Sequence, residues 1–516
     1  MAQDTGRGKE LRMKAEDLYE SIGTVDEDLL ERSEKRGAEN TQEARVRRIT
    51  PRMKVLIAVA SVLIVGCVIG LVTGIFLKKG DPRDSKNDPV LRKYVLAGAS
   101  LPDMKMPDDD DYEDSVAGRR KYHEDCDAWW AECEKRLRLL EDYGADKAYA
   151  AVDQFTVRSL KTFLSGRSGQ NKVYSPINIY LMLGMLAEST AGNSRDQILS
   201  LAGADSVEDM RALSKALWNR LYRDADNESC LLGASVWLDE GLDDVYNKET
   251  LQRLASEYYA SSFSGEMGSK SYSEAFRKWL DNMTGGMLKD SVEELELHRD
   301  TLIALATTIY LNEQWSKPFS EENTKDGVFH AVDGDKNVPF MYKAYVGYCY
   351  RGEKFTAVSK DLESSTMWMI LPNDGVSVDE ILDDPDIADL LSKKASDLKR
   401  ATIYLSVPKF DVSDSPELID MLKELGVTDI FDTRADFSPL FTDGGGAYVG
   451  EAKHSVRVQM SEDGVKAAAY VEVQITKSGD YPEEDEITIT LDRPFLFLID
   501  GDYDELPLFA GVVENP

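Results

Sequence analysis

The chain has 516 residues, 42% hydrophobic and 30% charged, with a formal net charge of −33. That length exceeds one ordinary core, and the acidity excludes a nucleic-acid partner, which requires a basic face. The five cysteines (Cys67, Cys126, Cys133, Cys230, Cys349) are too scattered for a disulfide framework, and no CxxC, HExxH, P-loop or GxSxG occurs, so no metal or cofactor is implied.

Residues 1–54 read as a cytoplasmic, helical tail. Leu11, Leu18, Ile22, Leu29 and Leu30 fall near one stripe within Lys9–Lys35, and Thr24–Glu27 is a capping-box pattern. Val55 to Leu77 then runs 23 residues without a charge. As a helix it spans about 34 Å, enough for a hydrocarbon core of about 30 Å, so 55–77 is predicted to cross a membrane once. Arg45, Arg47, Arg48, Arg52 and Lys54 precede it and Lys78, Lys79, Arg83 and Lys86 follow. That slight asymmetry places the N-terminus inside and the remainder outside the cell.

Residues 78–145 read as an acidic stalk. Asp108–Asp111 should stay extended and solvated. A short helix follows over Arg119–Tyr143, with Cys126, Trp130, Cys133, Leu137 and Leu140 at heptad spacing. Such a seam either packs on the main domain or pairs two copies as a dimer. Cys126 and Cys133 lie about 10.5 Å apart along a straight helix and cannot bridge each other.

Residues 146–516 carry one continuous globular pattern. Helical periodicity dominates early, over 147–164, 178–187 and 273–284. Strand patterns dominate later, over 302–311, 366–371, 401–407, 455–460, 487–491 and 495–499. Neither a βαβ rhythm nor an internal repeat is present, so the fold class is α+β with large antiparallel or mixed sheets.

One segment is dressed as a strand and placed like a loop. From Glu462 to Thr476 the row Val465, Ala467, Ala469, Val471, Val473 and Ile475 is wholly apolar, and the alternate row is mostly polar. Gly464 opens the segment and supplies backbone freedom. A polar stretch, Lys477 to Asp485, follows as an exposed loop. A stretch that can be both loop and strand is a candidate switch.

The region from 146 onward resembles the serpins from end to end. Tyr174–Ile179 (YSPINI) is similar to the family's entry into its second helix, and Ala187–Gly192 (AESTAG) to the turn after it. Trp279, Thr284, Gly285 and Met287 resemble a further family pattern. Ile309, Tyr310, Trp315, Pro318 and Phe319 resemble the third strand of the large sheet and its exit. Val407–Phe410 (VPKF), Leu425–Val427 with Phe431, Ala435–Ser438 (ADFS), Arg493–Phe497 (RPFLF) and Pro507–Pro516 match further landmarks in order.

The resemblance implies three β-sheets, eight or nine helices and an exposed reactive-centre loop. It implies a suicide-substrate inhibitor, not an enzyme. A protease attacks the loop and is acylated, and the freed loop then inserts into the large sheet with the protease attached. Glu462 and Gly464 would form the hinge, and the row from Val465 to Ile475 the inserting face. The family's spacing puts the cleaved bond at Ser478-Gly479. Side-chain chemistry favours Lys477-Ser478 for a trypsin-like protease, whereas a small serine suits elastase-like or subtilisin-like ones. Ser175 and His454 would lie in the shutter beneath the sheet, with Thr307 where the family usually has an asparagine, and Trp315 near the sheet's upper opening. A membrane-tethered, outward-facing inhibitor points to defence of a cell surface, in a bacterium. A non-inhibitory serpin acting as a surface binding or signalling body is the alternative. A surface hydrolase lacks any recognisable nucleophile–base motif.

Overall fold

The computed structural model describes residues 83–516 except 100, 103–105, 225–227, 289–292, 294, 300, 392–397, 443–446, 453, 455, 466–484 and 502–505. The chain divides into units 1–78 and 79–516, and every described residue belongs to the second. The tail, the apolar run 55–77 and the loop beyond Val465 therefore lie outside the described residues. Among the described residues no helix is long and apolar enough to cross a membrane.

In chain order, β1 (Val95–Ala97) is followed by α1 (Val116–Tyr143), α2 (Ala145–Leu164), β2 (Lys172–Tyr174), α3 (Pro176–Ser189), α4 (Gly192–Ala202) and α5 (Val207–Leu221). Next come β3 (Arg223–Asp224), β4 (Glu228–Asp239), α6 (Lys248–Glu257), β5 (Ala260–Gly265), α7 (Lys270–Met283) and β6 (Ile303–Gln314). A strand-rich stretch holds β7 (Lys325–Ala331), β8 (Gly334–Arg351), β9 (Phe355–Asp361), β10 (Ser365–Pro372), the short helices α8 (Val378–Leu382) and α9 (Pro385–Leu391), β11 (Lys399–Pro408) and β12 (Phe410–Asp414). The last part is α10 (Leu418–Glu424), β13 (Glu451–Ala452), β14 (Val456–Met460), β15 (Gly464–Val465), β16 (Asp485–Thr490), β17 (Phe495–Gly501) and β18 (Leu506–Val513).

Hydrogen bonding groups the strands into two sheets. The first runs β1-β5-β4-β6-β15-β14-β12, with β13 beside β6 and β3 beside β4. The second runs β16-β11-β8-β9-β10-β17-β18-β2, with β7 on β8. The resemblance implies three sheets; here the long β8 joins two of them. Its residues 340–349 pair with β11 and its residues 349–351 pair with β9. Strands β17 and β18 are buried along their whole length, which is why Phe495–Ile499 and Leu506–Val513 read as apolar runs. Helix α3 is buried on every side, as expected of a helix that is apolar all round. Pro176 stands in its first turn, where the missing N–H costs nothing, and the Ser175 hydroxyl caps the Asn178 amide at 3.3 Å.

The stretch expected to be a stalk is built into the body. Asp88 accepts from the Val90 and Leu91 amides and from Asn282. Leu91 is fully buried with Trp237, Phe263, Tyr272 and Trp279, and β1 adds an edge strand to β5. Asp109–Asp111, expected to be extended, forms a single 3₁₀ turn, and Tyr112 donates to Asp125 at 2.8 Å. The helix is longer than its periodicity suggested, because Ser115 caps it at the Gly118 amide.

Helix α1 packs on α5, but along a face rotated from the heptad seam. Trp130 and Leu137 point outward, 59% and 41% exposed, while Arg136 turns inward at 4%. The Arg136 guanidinium donates to the Asn219 side chain and to the carbonyls of Asn219 and Tyr222, over the rings of Trp218 and Tyr222. Arginine outcompetes leucine here because exposed carbonyls at the end of α5 need donors. With Arg136 and Leu140 buried against the body, the seam is divided between the body and solvent. Cys126 and Cys133 are both free thiols.

Because residues before 146 belong to this core, Leu91→Ala should destabilise the whole body by about 2–5 kcal/mol. Thermal melting of the full chain measures it; an unchanged midpoint would mean the segment only lies on the surface.

Candidate functional site

The site is the upper end of the first sheet, where the switch segment begins. Strand β15 sits between β6 and β14. Gly464 pairs with Gln314, and Val465 with Glu313 on β6 and Met460 on β14. Among the described residues no ladder joins β6 directly to β14. Lower down, β13 pairs with β6 at Ala304 and Leu305. The sheet is therefore wedged at one end and closed at the other.

Val465 is 3% exposed. The sequence reading made it the first residue of the face that inserts; the structure has it in the sheet, on the inner face. Gly464 is required for a different reason from the hinge freedom expected of it. A Cβ there would lie 2.2 Å from the Glu313 carbonyl oxygen and 2.7 Å from the Gln314 Cα. Only glycine lets the two backbones approach this closely.

Directly opposite Val465, Glu313 is fully buried. Its carboxylate accepts from Arg223 at 2.6 Å and from the Ser365 hydroxyl at 2.9 Å. The turn before β15 is held by its own set of bonds. The Ser461 amide donates to the Gly464 carbonyl at 3.0 Å. The Trp315 indole donates to the Ser461 carbonyl at 3.0 Å. The Trp315 and Phe319 amides donate to the carbonyls of Asp463 and Glu462, both at 2.9 Å. The Glu462 carboxylate accepts from Lys409 at 2.7 Å and from Thr324 at 2.8 Å. Burial pushes the Glu462 carboxyl up, but the bonds from Lys409 and Thr324 outweigh it and hold it below the usual carboxylate range.

Beneath the sheet, the structure brings Ser175 and His454 together. The Ser175 amide donates to His454 Nε2 at 3.0 Å, so the ring proton sits on Nδ1, which has no partner among the described residues. Thr307 lies buried in β6 opposite Ala234 and lines a small enclosed cavity with Asn178, Ser214 and Tyr258. Thus Glu462, Gly464, Val465 and Trp315 converge at the wedge, and Ser175, Thr307 and His454 lie deeper. Ala467, Ala469, Val471, Val473 and Ile475, and the candidate bonds at Lys477, Ser478 and Gly479, lie outside the described residues. Sequence reasoning missed Glu313, Arg223, Thr324 and Lys409. Lys409 stood within the Val407–Phe410 run; the others had no sequence signal, because their partners are distant in the chain.

Burial pushes the His454 imidazole down to about 3 from an ordinary 6.5. It stays neutral in the fold, while an unfolded histidine takes up a proton near 6.5. Its contribution to stability is therefore full above pH 6.5 and lost as pH falls toward 3. His454→Gln should cost ~1–3 kcal/mol at neutral pH and flatten part of the acid limb of the melting curve. Superimposable pH profiles would remove His454 from this role.

Comparison with known proteins agrees with this geometry. A family model described as "Serpin (serine protease inhibitor)" matches residues 150–516. The rice protein Serpin-ZXA is 27% identical over 68% of this chain and 92% of its own length. An alpha-1-antitrypsin-like protein of Tamias sibiricus is 26% identical over 67% and 83%. Among solved structures, the thermophilic serpin tengpin in its native state superposes with a TM-score of 0.64 at 24% identity, covering 72% of this chain and 94% of that one. Human thyroxine-binding globulin superposes equally well, at 0.64 and 22% identity over 72% and 98%. The plant and animal relatives lend no support to the bacterial source expected from the sequence. With a family model covering residues 150–516, the chain belongs to the serpin family.

Proposed function

We propose that this chain inhibits serine proteases by loop cleavage and loop insertion, and that residues 55–77 tether it in a membrane with the serpin domain, 146–516, outside the cell. The observation that carries the reading is the register of β15 on β6. The loop runs antiparallel to β6, so each step forward along one is a step back along the other. Extending the pairing of Val465 with Glu313 puts Ala467 opposite Leu311, Ala469 opposite Ile309, Val471 opposite Thr307, Val473 opposite Leu305 and Ile475 opposite Ile303. Directly opposed residues share a face, and all of those β6 residues are buried. The apolar row thus matches the inner face of β6 from one end to the other.

Chemically, the protease's serine attacks the scissile carbonyl, the C–N bond breaks and an acyl-enzyme forms. Cleavage releases the loop end, which extends β15 downward and carries the acylated protease with it. Ser478-Gly479 is the bond given by the family's spacing, and Lys477-Ser478 is the bond a trypsin-like specificity pocket would choose. The tether rests on the uncharged run and its basic flanks.

The full chain, in detergent, is mixed with trypsin-like, elastase-like and subtilisin-like proteases. A covalent complex surviving a denaturing gel is expected with at least one, and sequencing the released fragment identifies the bond. Loop cleavage without any complex across the panel would overturn the inhibitor reading in favour of a non-inhibitory body. Ala469→Asp sets a carboxylate opposite the buried Ile309 in the extended register. It should leave cleavage intact and reduce the trapped fraction at least tenfold, since insertion would bury an unpaired charge. Undiminished trapping would contradict insertion along this register.

A further inference from the structure

The turn that holds the hinge is itself fastened by a lysine that neither the fold nor the insertion step accounts for. Lys360, on β9, is 2% exposed and forms no salt bridge among the described residues. Its Nζ lies 5.0 Å from the Trp315 ring centroid, 4.9 Å from that of Phe319 and 4.8 Å from that of Tyr345. It donates one hydrogen bond, to the Lys317 carbonyl at 2.8 Å. Residues 315–319 are the same turn whose backbone and indole bind Ser461, Glu462 and Asp463. Lys343 ties the next carbonyl, that of Pro318, at 2.6 Å.

We propose that Lys360 is a positioning residue for loop insertion: it holds the 315–319 turn against the hinge, and its proton state sets how readily the hinge opens. The groups around it define the electrostatics. Lys343 on β8 and Lys317 in the turn repel an ammonium, and Asp361 on β9 attracts it. Tyr345, whose hydroxyl donates to the Ser359 carbonyl, is kept neutral by burial. On the hinge side Glu462 is already paired with Lys409. The three rings and the carbonyl favour the cation, but burial dominates and lowers the group to about 7 from 10.5.

The sign follows. In the closed site Lys360 loses its proton near pH 7, while an amino group released to water keeps it to about 10.5. Opening therefore takes up a proton between those values and becomes harder as pH rises through them. Below pH 7 both states are charged, and this group adds no further pH dependence.

The proposal rests on reading 461–465 as the hinge, and its test uses the uncleaved chain, so a missing protease complex would not decide it. Hydrogen exchange of the segment 457–465 is measured in the full chain and in Lys360→Met at each pH from 6 to 9.5. Intrinsic exchange cancels in the ratio. The ratio of wild-type to variant exchange should fall with rising pH above 7, by up to about tenfold per pH unit, and be flat below 7. Lys360→Arg, which keeps its charge, should remove the pH dependence and leave the segment exchanging faster than wild type at pH 9. A ratio independent of pH, or an Arg variant that still titrates, would overturn the proposal. If Lys360→Met does not fold, Lys360→Gln serves the same comparison.

Discussion

Two residues keep the large sheet from closing at one end. Gly464 and Val465 occupy the place between β6 and β14, and the first of them must lack a side chain because the β6 backbone is in the way. The proposed loop insertion depends on this wedge. It supplies the register, puts the first apolar residue of the loop on the inner face, and, among the described residues, leaves β14 joined to β6 through β15 and, lower down, through the neighbouring β13 pairing. A strand that already has a template at its head needs no search to find its alignment, since a slip of one residue would turn the apolar row outward.

The polar groups around the wedge are costly ones to bury. Glu313, Glu462 and Lys360 are all nearly inaccessible, and replacing a buried ion pair by apolar residues often leaves stability unchanged or raises it. Their arrangement makes sense as control of one conformation. Glu313 is satisfied by Arg223 and Ser365. Glu462 is satisfied by Lys409 and Thr324. These bonds define the turn before β15 without being a large source of stability. Local departures from the rule that cores are apolar are expected where function requires two states.

The sequence displayed what depends on local pattern. The inner row beginning at Val465 was visible as a period of two, and the helix over 178–187 as helical periodicity. What it hid depends on tertiary partners. The seam Cys126, Trp130, Cys133, Leu137 and Leu140 has the right period, but the helix presents Arg136 to the body, because the end of α5 offers carbonyls and two aromatic rings. The supposed stalk is polar on average, and average composition cannot show that one residue, Leu91, plugs a pocket of aromatics. Lys360 looked like any strand lysine; only the fold puts three rings around it.

The wedge alters the energetics of the proposed insertion. With all six inner residues counted, burial would contribute on the order of 10 kcal/mol. Val465 is buried before cleavage and adds nothing to the step. Ala467 and Ala469 follow, and small side chains contribute little but meet little resistance. The larger gain comes with Val471, Val473 and Ile475. In the extended register the last two fall opposite Leu305 and Ile303, where β13 now pairs with Ala304 and Leu305. Insertion thus runs easily for its first half with little reward. It then has to displace β13 from β6 just as the bulky residues arrive to replace it. On that proposal the strongest driving force comes late, opposite the β13 pairing, so that an intact loop has little reason to go beyond Val465 and a cut one has reason to reach the end.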